Sequence, residues 1–228
     1  MLERVDEKIL DGWKHQMPYI DFKIPLLKDY VMNNIRLTAY HEAGHAAAYA
    51  FFGYNGFKGI SIIPTSKYTG LFTQRRSYFH LNDWYHERLK WIYARNEIIE
   101  LLAGREAEIK AGNSCMEPLL DEIDKLEKSS PSFNLEEVLR FGTDEGKALA
   151  LAKAIQTKGW STDRIILTCE EWTKELLDIP LVWKTVENIA ERLIEVGEIT
   201  DLDEYDSLIS PVLYKQCYYP KWKRRSEP

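Results

Sequence analysis

The chain is 228 residues long, 45% hydrophobic and 29% charged, a balance that fits a soluble globular protein with ample length for its own core. Its 30 basic and 36 acidic side chains give a net charge of -6, which argues against general nucleic-acid binding, because neutralising phosphate needs a positive surface. No apolar run approaches the roughly 20 residues that cross a bilayer, no phosphate-loop pattern is present, and the length leaves no room for a nucleotide-driven motor beside a catalytic domain.

Residues 1–30 carry Pro18, Pro25 and a charged start without a signal-peptide core, so they read as an N-terminal arm or short helix with irregular connections. Residues 33–52 are alanine-rich and helical in pattern, stopping at Gly53, which suits a left-handed helix end. Two short β-like runs follow, Gly59-Ile-Ser-Ile-Ile-Pro64 and Gly70-Leu-Phe-Thr-Gln74, separated by turn residues. Asn82 or Asp83 caps a long helix reaching about Ala111, and Trp84 and Trp91, spaced i and i+7, form a core stripe on it. A short charged helix over 117–128 leads into the loop Ser129-Ser-Pro-Ser132, and Asn134 with Glu137 resembles a capping box.

Further helices are expected over 144–158, 162–178 and 181–196, the last ending at Gly197. The fold class is therefore mainly α with a small β-sheet or hairpin (α+β), with one domain over 31–210. Residues 211–228 form a basic, aromatic tail, read either as solvated or as a contact for an acidic partner, nucleic acid or a neighbouring subunit. Cys115, Cys169 and Cys217 show no metal-ligand or redox spacing, which fits free thiols in a reducing, cytoplasmic compartment.

The chemistry concentrates in His41-Glu-Ala-Gly-His45. Histidines at i and i+4 project from one helix face a turn apart, so their imidazoles can converge on one metal ion. Glu42 lies about 100° round the helix from His41, where it can take a proton from water instead of ligating. The competing reading is a core helix on which the pattern falls by coincidence. His15, His80 and His86 have no partner at ligand spacing and read as surface residues. A catalytic zinc needs a third protein ligand, and no His or Glu follows at the short spacings of the best-known zinc peptidases.

Several separate segments carry a family resemblance. Leu37-Thr-Ala-Tyr-His-Glu-Ala-Gly-His-Ala46 resembles the zinc helix of the FtsH family, the peptidase domain of membrane-bound AAA proteases. Ile60-Ser-Ile-Ile-Pro64 and Gly70-Leu-Phe-Thr-Gln74 are similar to that family's following strand and Gly-x-x-Thr-like segment. Leu101-Leu-Ala-Gly-Arg-Glu-Ala-Glu108 is similar to its Gly-Gly-Arg-x-Ala-Glu helix, with Ala103 in place of the first glycine. Phe141-Gly-Thr-Asp-Glu-Gly-Lys-Ala148 resembles the segment that supplies the third zinc ligand, and residues 183–200 resemble the C-terminal helical pair. The resemblance runs collinearly over about residues 35–205.

That resemblance implies an FtsH-peptidase-like helical domain with zinc as cofactor, held by His41, His45 and Asp144, and with Glu42 as general base. The stretch between Glu108 and Asp144 is longer than in typical members, so Glu108 stands as the runner-up third ligand. Asp144 has a second reading as an acid favoured at a helix start, and Glu108 one as a solvated or arginine-paired helix residue. Ile60, Ser61, Ile62 and Ile63 are read as substrate-binding, through an exposed strand edge that aligns a peptide main chain.

The expected function is a zinc-dependent peptidase acting on unfolded or flexible polypeptides, ATP-independent because the ATPase domain and membrane anchor are absent. A regulatory protease of one partner, or a non-catalytic metal-binding or assembly module, are the alternatives. Assembly into a homo-oligomer is implied by the family's ring architecture. Without an ATPase of its own, the chain would take substrates that are already unfolded, that offer a flexible segment, or that a separate ATPase or adaptor delivers.

Overall fold

The computed structural model describes residues 7–21, 23–53, 56–66, 68–74, 87–114, 116–129, 138 and 142–209. In chain order the elements are α1 (Glu7–Gln16), α2 (Pro25–Phe51), β1 (Phe57–Ser61), β2 (Leu71–Gln74), α3 (Glu87–Lys110), α4 (Leu119–Ser129), α5 (Asp144–Ile155), α6 (Thr162–Leu177), α7 (Pro180–Val196), β3 (Glu198–Ile199) and α8 (Leu202–Leu208). The chain is mainly α with a small antiparallel sheet, as its sequence pattern implies.

The 27-residue helix α2 spans about 40 Å and organises the rest. It begins eight residues before the expected start because Pro25 stands in its first turn, where the missing N–H costs nothing and the fixed φ favours a helix. The domain boundary drawn at residue 30 thus falls inside a continuous helix. Ahead of it, α1 buries Ile9 and Trp13 in the common core, so residues 7–16 pack with the domain. At the other end Gly53 takes a φ of 71°, the left-handed end its sequence position suggests.

Helix α2 packs on α3 along one side and α7 along another, while α3 also carries α5 and α6. The α2–α3 crossing is close because it is built from small residues. A Cβ on Gly44 would come within 2.3 Å of the Ala103 carbonyl oxygen and 2.8 Å of Ala107 Cβ. This approach brings α3 against the turn that carries His41 and His45.

The sheet has the order β2-β1-β3, antiparallel throughout. Ile60 lies opposite Phe72 on one side and Ile199 on the other, so β1 is the central strand. This corrects the expectation of an exposed edge at Ile60, Ser61, Ile62 and Ile63. Ile60 and Ile62 are buried, Ile62 and Ile63 lie beyond the end of β1, and the Ile62 N–H donates to the Gly197 carbonyl at 2.8 Å. The cause is residues 198–199: Gly197, at φ 80°, turns the chain out of α7 and lays β3 along that edge. Among the described residues the outer edges of β2 and of the two-residue β3 carry no further strand.

The remaining differences sit at helix ends. Helix α5 stops at Ile155 because Thr157 and Trp160 bridge in a tight turn. Helix α8 was not anticipated, although Asp201 caps it by accepting from the Asp203 and Glu204 amides. Its Tyr205 hydroxyl donates to the Ala46 carbonyl at 2.8 Å, tying it to α2. Asn82, Asp83, Trp84, His80, His86, Cys115, Ser130–Ser132, Asn134, Glu137, Phe141, Cys217 and the tail at 211–228 lie outside the described residues. No described helix is long and apolar enough to cross a membrane.

Candidate metal centre

His41 and His45 lie one turn apart on the face of α2 turned toward α3 and the start of α5. Their Nε2 atoms are 3.0 Å apart. Asp144 Oδ2 lies 3.1 Å from His45 Nε2 and 3.5 Å from His41 Nε2. The three residues offer ligand atoms within 4.8 Å of one another and could hold a metal ion. Ligand atoms about 2.0–2.2 Å from a tetrahedral ion sit roughly 3.3–3.5 Å apart, close to the separations found here.

Local structure explains why Asp144 reaches the pair. It opens α5 behind Thr143, whose side chain accepts from the Gly146 amide at 3.2 Å and fixes the helix start. An acid in a first turn is also favoured by the helix dipole. Asp144 thus stands at a helix start and beside the two histidines at once.

Glu108 does not join the trio. Its Oε1 lies 2.8 Å from His41 Nδ1, on the opposite side of the ring, while its Oε2 accepts from the Asn113 amide at 2.9 Å. This corrects its standing as runner-up ligand. From α3, Glu108 reaches the Nδ1 side of the His41 ring, away from the nitrogens that face Asp144. His45 Nδ1 lies 2.8 Å from the Glu100 carbonyl oxygen. A carboxylate and a carbonyl both accept, so each Nδ1 is a donor, and Nε2 is the atom each ring would offer a metal once its proton is lost.

The charges follow this geometry. Burial works against the Asp144 carboxylate, but His45, the hydrogen bonds to both imidazoles and Lys147 outweigh it and hold the pKa well below the usual range. Burial also opposes charge on Glu108, yet its bond to His41 keeps its pKa lowered. Around His41, burial is outweighed by Asp144 and Glu108, so the pKa stands well above the ordinary imidazole value.

Glu42 lies beside the trio, 6% exposed. Burial raises its pKa, with His41 and His45 pulling the other way, and the Phe72 backbone N–H donates to it. Gly70 passes so closely that a Cβ there would come within 2.5 Å of Glu42 Oε1. The start of β2 thus forms one wall of the site.

Three contributors escaped the sequence reading. Gly104 on α3 faces the ligand nitrogens: its Cβ would lie 2.4 Å from His45 Nε2 and 2.7 Å from His41 Nε2. Lys147 Nζ donates to Asp144 Oδ1 at 3.1 Å, a contact that the i, i+3 spacing could have signalled. Phe72 contributes its amide, which no sequence pattern marks. His15 stands apart on α1, with the Asp11 carbonyl 2.9 Å from Nδ1. Cys169 is a buried free thiol, pushed by burial up to about 12.

Glu108→Gln should keep a hydrogen bond to His41 while removing its charge, and lower zinc affinity about 10- to 100-fold. Competition with a chromophoric chelator measures this. A loss as large as that of Asp144→Ala would restore Glu108 to the ligand set.

No protein-family model matches the chain, and no curated protein sequence matches it.

Proposed function

We propose that the chain is a zinc-dependent peptidase of the FtsH type, hydrolysing peptide bonds in unfolded or flexible polypeptides. The observation that carries this reading is the convergence of His41, His45 and Asp144 with a buried carboxylate, Glu42, next to them but outside the ligand set. A structural metal site has no need of that carboxylate; a hydrolytic one does. The two-histidine and carboxylate donor set suits zinc among the common divalent ions.

His41, His45 and Asp144 would hold the zinc, which would supply a Lewis acid to polarise the scissile carbonyl. Glu42, buried beside the trio, is placed to take a proton as water adds to the carbonyl carbon. It then returns the proton to the departing amine nitrogen as the C–N bond breaks. Glu108 and the Glu100 carbonyl hold the imidazoles in one tautomer. The outer edge of β2, next to Glu42, is the surface that would align an extended peptide by main-chain hydrogen bonds.

The family resemblance extends this reading to assembly of copies, with a separate ATPase or adaptor as a further partner, and the cysteine pattern suits a cytoplasmic setting. The test is direct. Purified protein should hold about one zinc per chain, and stripping the metal with a chelator should abolish cleavage of β-casein, with zinc restoring it. Cleavage that survives metal removal rejects the reading. Bound zinc without cleavage of any unfolded or folded substrate favours a metal-binding assembly module.

A further inference from the structure

Asp144 presents its two oxygens to different neighbours. Oδ2 faces the imidazoles, 3.1 Å from His45 Nε2, whereas Oδ1 accepts from Lys147 Nζ at 3.1 Å. Lys147 lies one turn along α5, and its side chain is only 20% exposed. An ammonium group held there repels any cation at the trio, and the repulsion grows as water is excluded. For metal retention alone, a neutral side chain at position 147 would serve better.

We propose that Lys147 tunes the metal centre, weakening its hold on zinc while strengthening the pull of the bound ion on a substrate carbonyl. The inference rests on the zinc-peptidase reading above. His41, His45 and Asp144 together present a single negative charge, which Lys147 offsets through Oδ1. Less negative charge therefore reaches an ion at the trio, and more of its positive charge remains to attract the carbonyl oxygen of a peptide bond. The same ion pair occupies Oδ1, so Asp144 engages the metal position through Oδ2 alone.

Affinity and rate must then move in opposite directions, which a purely structural role for Lys147 would not produce. Lys147→Met keeps the length of the stem without its charge, and Lys147→Arg keeps the charge. Zinc affinity is read by chelator competition, and kcat and KM are read on an unfolded protein substrate at saturating zinc. Lys147→Met should bind zinc about tenfold more tightly and turn over about tenfold more slowly, with KM little changed, while Lys147→Arg stays near wild type. Weaker zinc binding by Lys147→Met overturns the proposal, because Lys147 would then merely hold Asp144 in place. Unchanged affinity, or unchanged kcat in an active enzyme, also overturns it. If the wild type binds zinc but cleaves nothing, the peptidase reading fails, and the affinity comparison still decides the charge effect.

Discussion

Glu42→Gln should bind zinc as the wild type does and lose peptide hydrolysis by roughly a thousandfold. The substitution keeps the volume of a buried side chain and an oxygen able to accept from the Phe72 amide. It removes the one feature a base needs, an ionisable oxygen. Because Glu42 is outside the His41, His45 and Asp144 trio, metal content should be unchanged. Zinc stoichiometry and single-turnover cleavage, measured on the same preparation, separate the two properties. A variant that cleaves within tenfold of wild type would remove Glu42 from the mechanism, and one that loses its zinc would place Glu42 among the ligands.

Gly104→Ala should lower zinc affinity at least a hundredfold, although alanine is the better helix residue. In an unobstructed helix interior this change stabilises by about 0.5–1 kcal/mol, so a loss of function points to the site itself. The three atoms nearest the added Cβ are His45 Nε2, His41 Nε2 and His45 Cε1, all within 2.8 Å. Both rings are anchored at Nδ1, by Glu108 and by the Glu100 carbonyl, so neither can swing away without breaking that bond. In a His41→Ala/His45→Ala background the obstruction is gone, and Gly104→Ala should become neutral or stabilising in thermal unfolding. Equal destabilisation in both backgrounds would assign Gly104 to general helix packing.

The sequence made His41, Glu42 and His45 legible because a helix alone fixes their relation: four residues make one turn, whatever surrounds it. Asp144 lies about a hundred residues further on, and no local rule joins it to the pair. Only the resemblance nominated it, and the α5 start beside α2 supplies the physical link. Glu108 misled for the same reason. It sits on α3, and only the packing of α3 against α2 decides which nitrogen of His41 it meets. Gly104 looked like one small residue in an α3 motif, and its purpose appears only when α2 is laid across it.

The fold class was readable from alanine-rich and amphipathic runs, whereas the strand order was not. Glu198 and Ile199 are too short a run to carry a period, so no strand is expected after the helix that ends at Gly197, and β1 reads as an edge. Pro25 was read as a breaker because proline stops a helix interior; at a first turn it starts one instead.

The turn at Gly197 has a temporal consequence. Ile60 cannot meet Ile199, nor Tyr205 the Ala46 carbonyl, until almost the whole described chain exists. Closing loops of that length is entropically slow compared with winding the helices themselves. On a ribosome, the histidine-bearing helix would emerge early and wait for Asp144, then for the segment that seals the sheet. On the peptidase reading proposed above, that order leaves the site incomplete while the chain's own unfolded polypeptide is the nearest substrate.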